Sequence, residues 1–219
     1  MEMDYLKIIK TVKKRLESSH DMKREHIRKD FFIAEYKFFK EHIKNKRVLV
    51  AGSGLGHDSI EIAKNGNKVL GIELITEYIK IAKEKVEVMG LKNLRFEEGN
   101  FKKLDYPNKS FDVAVLNMGT IGDFEDKKTI LRELLRVAKK VYFDFYPPTK
   151  KGLEKRKRMY EEENWKNVKV QDENITSEDG LYSKSISREE IKKIVQEINA
   201  EVKFYSFCDF SLMAEVTEN

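Results

Sequence analysis

The run Val48-Leu49-Val50-Ala51-Gly52-Ser53-Gly54-Leu55-Gly56 sets the fold class of this 219-residue chain. Four apolar residues lead into three glycines at alternate positions, and a helical pattern follows over residues 59–64. A short unbroken apolar run is how a strand buried on both faces reads. Glycine lets the backbone turn sharply and approach a ligand closely. The start of the helix offers unbonded N–H groups and the positive end of a dipole. Residues 68–74 form a second strand-like run that carries Glu73 near its end. A carboxylate there, about twenty residues beyond the glycines, can accept two hydrogen bonds from a ribose diol. Together these are the nucleoside-binding half of a doubly wound sheet, whose crevice lies at the carboxyl ends of the strands.

Outward from this stretch, strands and helices alternate. Asn65-Gly66 stops the first helix. Ile79, Ala82, Val86 and Met89 mark the next, which ends at Gly90. Residues 94–98 and 111–116 read as the third and fourth strands, and Ile130, Leu131, Leu134, Leu135 and Ala138 as a helix. Residues 141–146 are a fifth strand stopped by Pro147-Pro148. Such alternation predicts a parallel sheet covered on both faces by right-handed crossovers. The tail differs. Ser187 and Glu190 form a capping box ahead of a helix lined by Ile191, Ile194, Val195 and Ile198. Two strand-like runs follow, 202–207 and 210–216, joined by a turn near Cys208-Asp209. So short a link makes an antiparallel hairpin and not a crossover. The expected fold is α/β: a doubly wound, seven-stranded, mostly parallel sheet with a C-terminal antiparallel strand, preceded by an N-terminal helical arm.

The arm, residues 1–46, carries a helical stripe over residues 5–16. It then carries two apolar lines, Ile27, Phe31, Ala34, Phe38 and Phe32, Tyr36, Phe39, Ile43. A helix so apolar is buried on two sides and can bridge the core and a ligand cleft. Residues 1–46 are therefore read as an arm or lid, 47–219 as the main domain, and 151–187 as a substrate-side insertion with a hairpin around 168–185. The arm holds 13 Lys/Arg against 8 Asp/Glu, while the whole chain carries +5. A second basic stretch spans residues 150–158. Either patch can meet an anionic partner, and the plainer reading of both is a solvated helix face. A charged fraction of 37%, mostly Lys and Glu, suits the surface ion pairs of a thermophile. No apolar run is long enough for a membrane span, and the N-terminal stretch lacks the apolar block of a signal peptide. The one cysteine, Cys208, cannot form an internal disulfide, which fits a cytoplasmic protein. No metal is assigned, and the oligomeric state is left open.

The glycine pattern G-x-G-x-G, Glu73 and the terminal hairpin together resemble the class I S-adenosylmethionine-dependent methyltransferases. A dinucleotide site would instead place its third glycine at the position of His57. The resemblance covers residues 47–146 in motif detail and extends to residue 216 in topology. It implies S-adenosyl-L-methionine as cofactor, with Gly52, Ser53, Gly54 and Gly56 at its backbone-lined end. Glu73 would hold the ribose hydroxyls and Leu74 pack on the adenine. Glu98-Gly99-Asn100-Phe101 resembles the loop that meets the adenine amino group, so Asn100 and Phe101 join the cofactor set. The fourth strand, ending Leu116-Asn117-Met118, would face the sulfonium methyl. Two positions depart from the family pattern. Val50 stands where an acidic residue is common, two places before the first glycine, so the methionine end is expected to rest on backbone and on the arm. Asn100 stands where Asp is usual, and an amide carbonyl still accepts a hydrogen bond.

Methyl transfer from a sulfonium is an in-line displacement, in which the protein supplies alignment and a dry cleft. Asn117 is read as a positioning group beside the methyl and Asp123 as a proton acceptor, these two being the catalytic candidates. Tyr36, Thr120, Tyr146 and Tyr182 are the substrate candidates. The glycine-broken loop Asn117-Met118-Gly119-Thr120-Ile121-Gly122 is similar to those of small-molecule N-methyltransferases. A small-molecule acceptor, an amine first, is the favoured reading. An RNA or protein acceptor bound by the basic arm is the alternative, with a nicotinamide oxidoreductase or a non-catalytic nucleoside-binding module further behind.

Overall fold

The computed structural model describes residues 28–219, so the stripe at 5–16 lies outside the described residues. The elements run α1 (Lys29–His42), β1 (Arg47–Ala51), α2 (His57–Lys64), β2 (Lys68–Glu73), α3 (Thr76–Met89), β3 (Leu94–Glu98) and β4 (Val113–Leu116). A 3-10 turn (Thr120–Asp123), α4 (Lys127–Val137), β5 (Lys140–Phe145) and α5 (Lys150–Glu162) follow. Then come β6 (Lys169–Gln171), β7 (Asn174–Thr176), β8 (Tyr182–Ser183), α6 (Arg188–Gln196), β9 (Ala200–Ser206) and β10 (Leu212–Glu218).

Seven strands form one sheet in the order β3-β2-β1-β4-β5-β10-β9. β1 pairs in parallel with β2 on one side, Val48 against Val69, and with β4 on the other, Val48 against Val113. Only β10 runs antiparallel to its neighbours, β5 and β9. The strand order reverses at β1 and β4, the switch point where such sheets bind ligands. The expected fold class is the observed one.

Side chains alternate across the sheet, as strand geometry requires. Leu49 and Ala51 pack with Ile130, Leu134 and Ile191 on the face covered by α4 and α6. Val48 and Val50 pack with Phe39, Ile60 and Ile79 on the face covered by α1, α2 and α3. Burial of each large apolar side chain stabilises the fold by roughly 1.5–3 kcal/mol. In α1 the two apolar lines divide the work. Phe38, Phe39 and Ile43 sit on the sheet, while Phe31 and Phe32 join Tyr146, Tyr160, Trp165 and Phe210 above the strand ends.

Three local expectations differ from the structure. The fourth strand begins at Val113, because Asp112 is drawn aside to accept the Arg47 N–H, and Phe111 keeps only an isolated bridge to Ala138. Phe210 stays out of β10 and stacks on Phe31 in the preceding turn. The expected hairpin in the insertion is a three-stranded antiparallel sheet, β6-β7-β8. Among the described residues no helix is long and apolar enough to cross a membrane.

Candidate active site

The glycine loop takes its shape from left-handed backbone at Gly52, Gly54 and Gly56 (φ +66°, +51° and +84°), a region that costs glycine nothing. The Ser53 N–H donates to the Ile72 carbonyl at 3.0 Å, which draws the loop over the end of β2. Glu73 completes the tether. Its Oε2 accepts from the Gly54 N–H at 2.9 Å, and its Oε1 accepts from the Leu74 and Ile75 N–H groups at 2.8 and 3.0 Å. The carboxylate therefore fixes the loop, and Oε2, with a single partner, keeps acceptor capacity toward the crevice. Gly71 lets Phe96 fold beneath the loop, since a Cβ there would lie 2.4 Å from the ring. Phe101 lies 3.4 Å from the Cβ position of Gly52 and meets Phe124 edge-on. The Asn100 side-chain oxygen accepts from the Lys102 N–H at 2.9 Å. Leu74 is half-buried at the rim.

The end of β4 faces this loop. Asn117 is 5% exposed, and its Nδ2 donates to Asp58 Oδ2 on the first turn of α2 at 3.2 Å. Its Oδ1 is buried without a hydrogen-bond partner. Met118 and Gly119 both adopt positive φ (+63° and +66°). That reversal lets the Asn117 carbonyl accept from the Thr120 N–H, and the Thr120 hydroxyl donates to the same oxygen. Tyr146 presses its ring on Gly119, where a Cβ would lie 2.3 Å away.

Behind Asn117 lies a group of acids absent from the sequence reading. Asp144, on β5, accepts from the Gly119 N–H at 2.8 Å and from the Ser211 hydroxyl at 2.9 Å. Burial nevertheless pushes its carboxyl up to about 7. Glu35 on α1 is 0% exposed, and the partner for its carboxyl group is the Asp58 carboxylate. Burial first, then the Asp58 and Asp144 carboxylates, push Glu35 well above the usual carboxylate range. Both positions carry a visible signal: one acid on the buried face of an apolar helix, and one in the middle of a buried strand.

The remaining candidates are spread more widely. Tyr36 is half-buried and stacks on Phe32, whose ring lies 6.2 Å from that of His57 at the start of α2. Asp123 is exposed at the end of the 3-10 turn. Tyr182 is 45% exposed on β8, whereas its neighbour Ser183 faces inward. Of the basic stretch, Arg156 is wholly buried and departs from the solvated-face reading. Cys208 lies half-buried in the turn before β10, and burial pushes its thiol up to about 11.

A family profile described as a methyltransferase domain matches residues 42–197. The chain belongs to that family, the class I S-adenosylmethionine-dependent methyltransferases. It is 28% identical over 106 residues to the uncharacterized methyltransferase YcgJ of Bacillus subtilis, a match spanning 47% of this chain and 42% of that protein. The chain thus spans under half the length of such curated relatives. Among solved structures it superimposes on a SAM-dependent methyltransferase from Aquifex aeolicus with a TM-score of 0.65 and 18% identity, covering 88% of this chain and 93% of that one. It also superimposes on the magnesium protoporphyrin IX methyltransferase of Synechocystis with bound SAH, at a TM-score of 0.63 and 18% identity, covering 89% and 84%. These two likenesses establish the shared fold.

Proposed function

We propose that this protein transfers a methyl group from S-adenosylmethionine to a nitrogen of a small-molecule amine. The cofactor side fits the residues present. A loop free of side chains at Gly52, Gly54 and Gly56 admits the amino-acid tail, and Glu73 Oε2 is available to a ribose hydroxyl. Leu74, Asn100 and Phe101 border the adenine side, and Ser53, Asn117 and Met118 the sulfur side. When bound, S-adenosylmethionine supplies a methyl group activated by its sulfonium.

One observation carries the amine reading: Asn117 Oδ1 is a buried acceptor with no donor, held in orientation by the bond its own Nδ2 makes to Asp58. An unsatisfied buried acceptor costs about 1–3 kcal/mol, which an arriving N–H offsets. The attacking amine must be neutral. The proton would pass to the Asp58 carboxylate, bonded to Asn117, or to Asp144, which titrates near neutrality and is bonded to the Gly119 N–H. Asp123 is a third proton acceptor, at the rim. Tyr36, Thr120 and Tyr146 border the acceptor, and α1 acts as the cover of the cleft through Phe32 and Tyr36.

The test is methyl transfer from labelled S-adenosylmethionine to a panel of primary amines, alcohols and thiols. Amines should be methylated, and Asn117→Leu should lower kcat by at least about tenfold while S-adenosylhomocysteine still binds. Turnover confined to oxygen or sulfur acceptors, or unchanged in the variant, would remove the assignment.

A further inference from the structure

Arg156 carries a charge that the fold does not neutralise. Three Lys or Arg side chains are buried among the described residues. Arg28 pairs with Glu163, and Lys127 lies 3.8 Å from Glu190. Arg156 is 0% exposed and has no carboxylate within ion-pair distance. Its bonds go to neutral oxygens: Nη1 donates to Ser185 Oγ at 2.9 Å, and Nη2 donates to the Ser183 carbonyl and hydroxyl at 2.7 and 2.8 Å. These bonds pin β8 to α5 and account for the two Nη groups. They leave Nε without a partner.

A second orphan lies beside it. The Arg156 guanidinium carbon is 4.5 Å from the centre of the Tyr146 ring, and the buried Tyr146 hydroxyl has no hydrogen-bond partner. Burial raises the phenol far above its usual range, so it remains a donor. The groups facing Arg156 are the Tyr160 and Tyr146 phenols, Arg28, which repels it, and Asp123, whose carboxylate attracts it without forming an ion pair. Two unused donors and a positive charge without an ion pair thus lie on neighbouring side chains, where buried cations are ordinarily paired. The place is not remote from the proposed chemistry, since the Tyr146 ring rests on Gly119, two residues past Asn117.

We propose that Arg156 Nε and Tyr146 Oη bind a carboxylate of the methyl acceptor. Two donors match the two oxygens of a carboxylate. With acceptor and acidic groups at Asn117, Asp58 and Asp144 for the amine, the cleft then takes a molecule bearing both an amine and a carboxylate. This rests on the reading of the cleft as a methyl-transfer site and deepens it.

The experiment uses the whole chain saturated with S-adenosylhomocysteine and follows its melting temperature. Acetate, propionate and benzoate are compared with acetamide, propionamide and benzamide, with inorganic phosphate and with chloride, at equal ionic strength. The carboxylates should raise the melting temperature above the amides and chloride. Arg156→Met should erase that difference while the shift from S-adenosylhomocysteine persists. Tyr146→Phe, which keeps the ring on Gly119, should weaken carboxylate binding by at least about threefold, the loss of one hydrogen bond, and remains informative should Arg156→Met not fold. Equal shifts for carboxylates and amides, a larger shift with phosphate, or a carboxylate preference that survives in both variants would overturn the proposal. Absence of any shift with S-adenosylhomocysteine would instead strike the cofactor reading, so the two failures are separable.

Discussion

On the β1–β2 side of the cleft the polar groups are mainly backbone; on the β5–α5 side they are buried side chains. The glycine loop needs left-handed φ at three positions and one carboxylate, Glu73, to hold it. Beneath Tyr146 the work falls to Arg28, Arg156, Glu163, Ser183 and Ser185, whose partners come from up to 135 residues away. The two halves therefore respond differently to substitution. Backbone geometry is local and tolerates distant substitutions. A buried charge depends on its partner, and loss of either member strands the other.

Substitutions in the side-chain half should therefore cost the most. Arg28 and Glu163 form a buried pair that ties the start of α1 to the end of α5, with the Trp165 indole N–H donating to Glu163 at 3.3 Å. Arg28→Met should cost about 3–5 kcal/mol by leaving a buried carboxylate uncompensated. Adding Glu163→Leu should recover much of that loss, because the stranded charge disappears. Urea unfolding of both variants checks this. If the double variant is as unstable as the single, the penalty lies in packing and the two halves differ less than supposed.

The same contrast explains what was legible in the sequence. The sheet, its antiparallel final strand and the glycine loop could all be read, because alternation, turn chemistry and cap residues are local. The Ser187–Glu190 cap is an instance, with the Glu190 N–H donating to Ser187 Oγ at 3.0 Å. The acids and guanidinium groups behind Asn117 could not be assembled, since Glu35, Asp58 and Asp144 come together only when α1, α2 and β5 pack. Glu35 and Asp144 were nevertheless each marked by a charge in an apolar pattern. Arg156 was hidden by its company: among Lys and Arg neighbours on α5 nothing local separates the one buried cation from the solvated ones. The Phe111 and Phe210 differences share a cause, in that a nearby hydrogen bond or ring stack decides where a ladder starts.

The buried acid of the side-chain half is also sensitive to pH. Asp144 is fully buried, and its carboxyl titrates at about 7 in the folded protein against an ordinary value of 3.8. The unfolded chain thus releases this proton first. Between about pH 4 and pH 7 the folded state binds more protons, so this group makes stability fall as pH rises. The full swing is at most about 4 kcal/mol. Asp144→Asn lacks the titration and can still accept from Gly119. Its stability relative to the unaltered protein should improve steadily over that range in urea titrations. A constant gap from pH 4 to pH 7 would show that Asp144 remains ionised throughout and that its two hydrogen bonds outweigh burial.

The smallest effect is expected where the backbone dominates. Glu73→Gln keeps one carbonyl acceptor, and loses the charge and one oxygen of the pair that holds Gly54, Leu74 and Ile75. Hydrogen bonds to a charged group contribute about 1.5–3 kcal/mol each, but the Ser53–Ile72 bond and the fixed glycine conformations survive. Folding stability should accordingly drop by only about 1–2 kcal/mol. Affinity for S-adenosylhomocysteine, measured by calorimetry, should weaken by about tenfold or more, since a ribose hydroxyl loses its acceptor as the loop relaxes. The two readings separate the roles of Glu73. A stability loss with unchanged affinity would make it a structural tether alone, and the cofactor half would then rest on glycine backbone without any side chain to read the ribose.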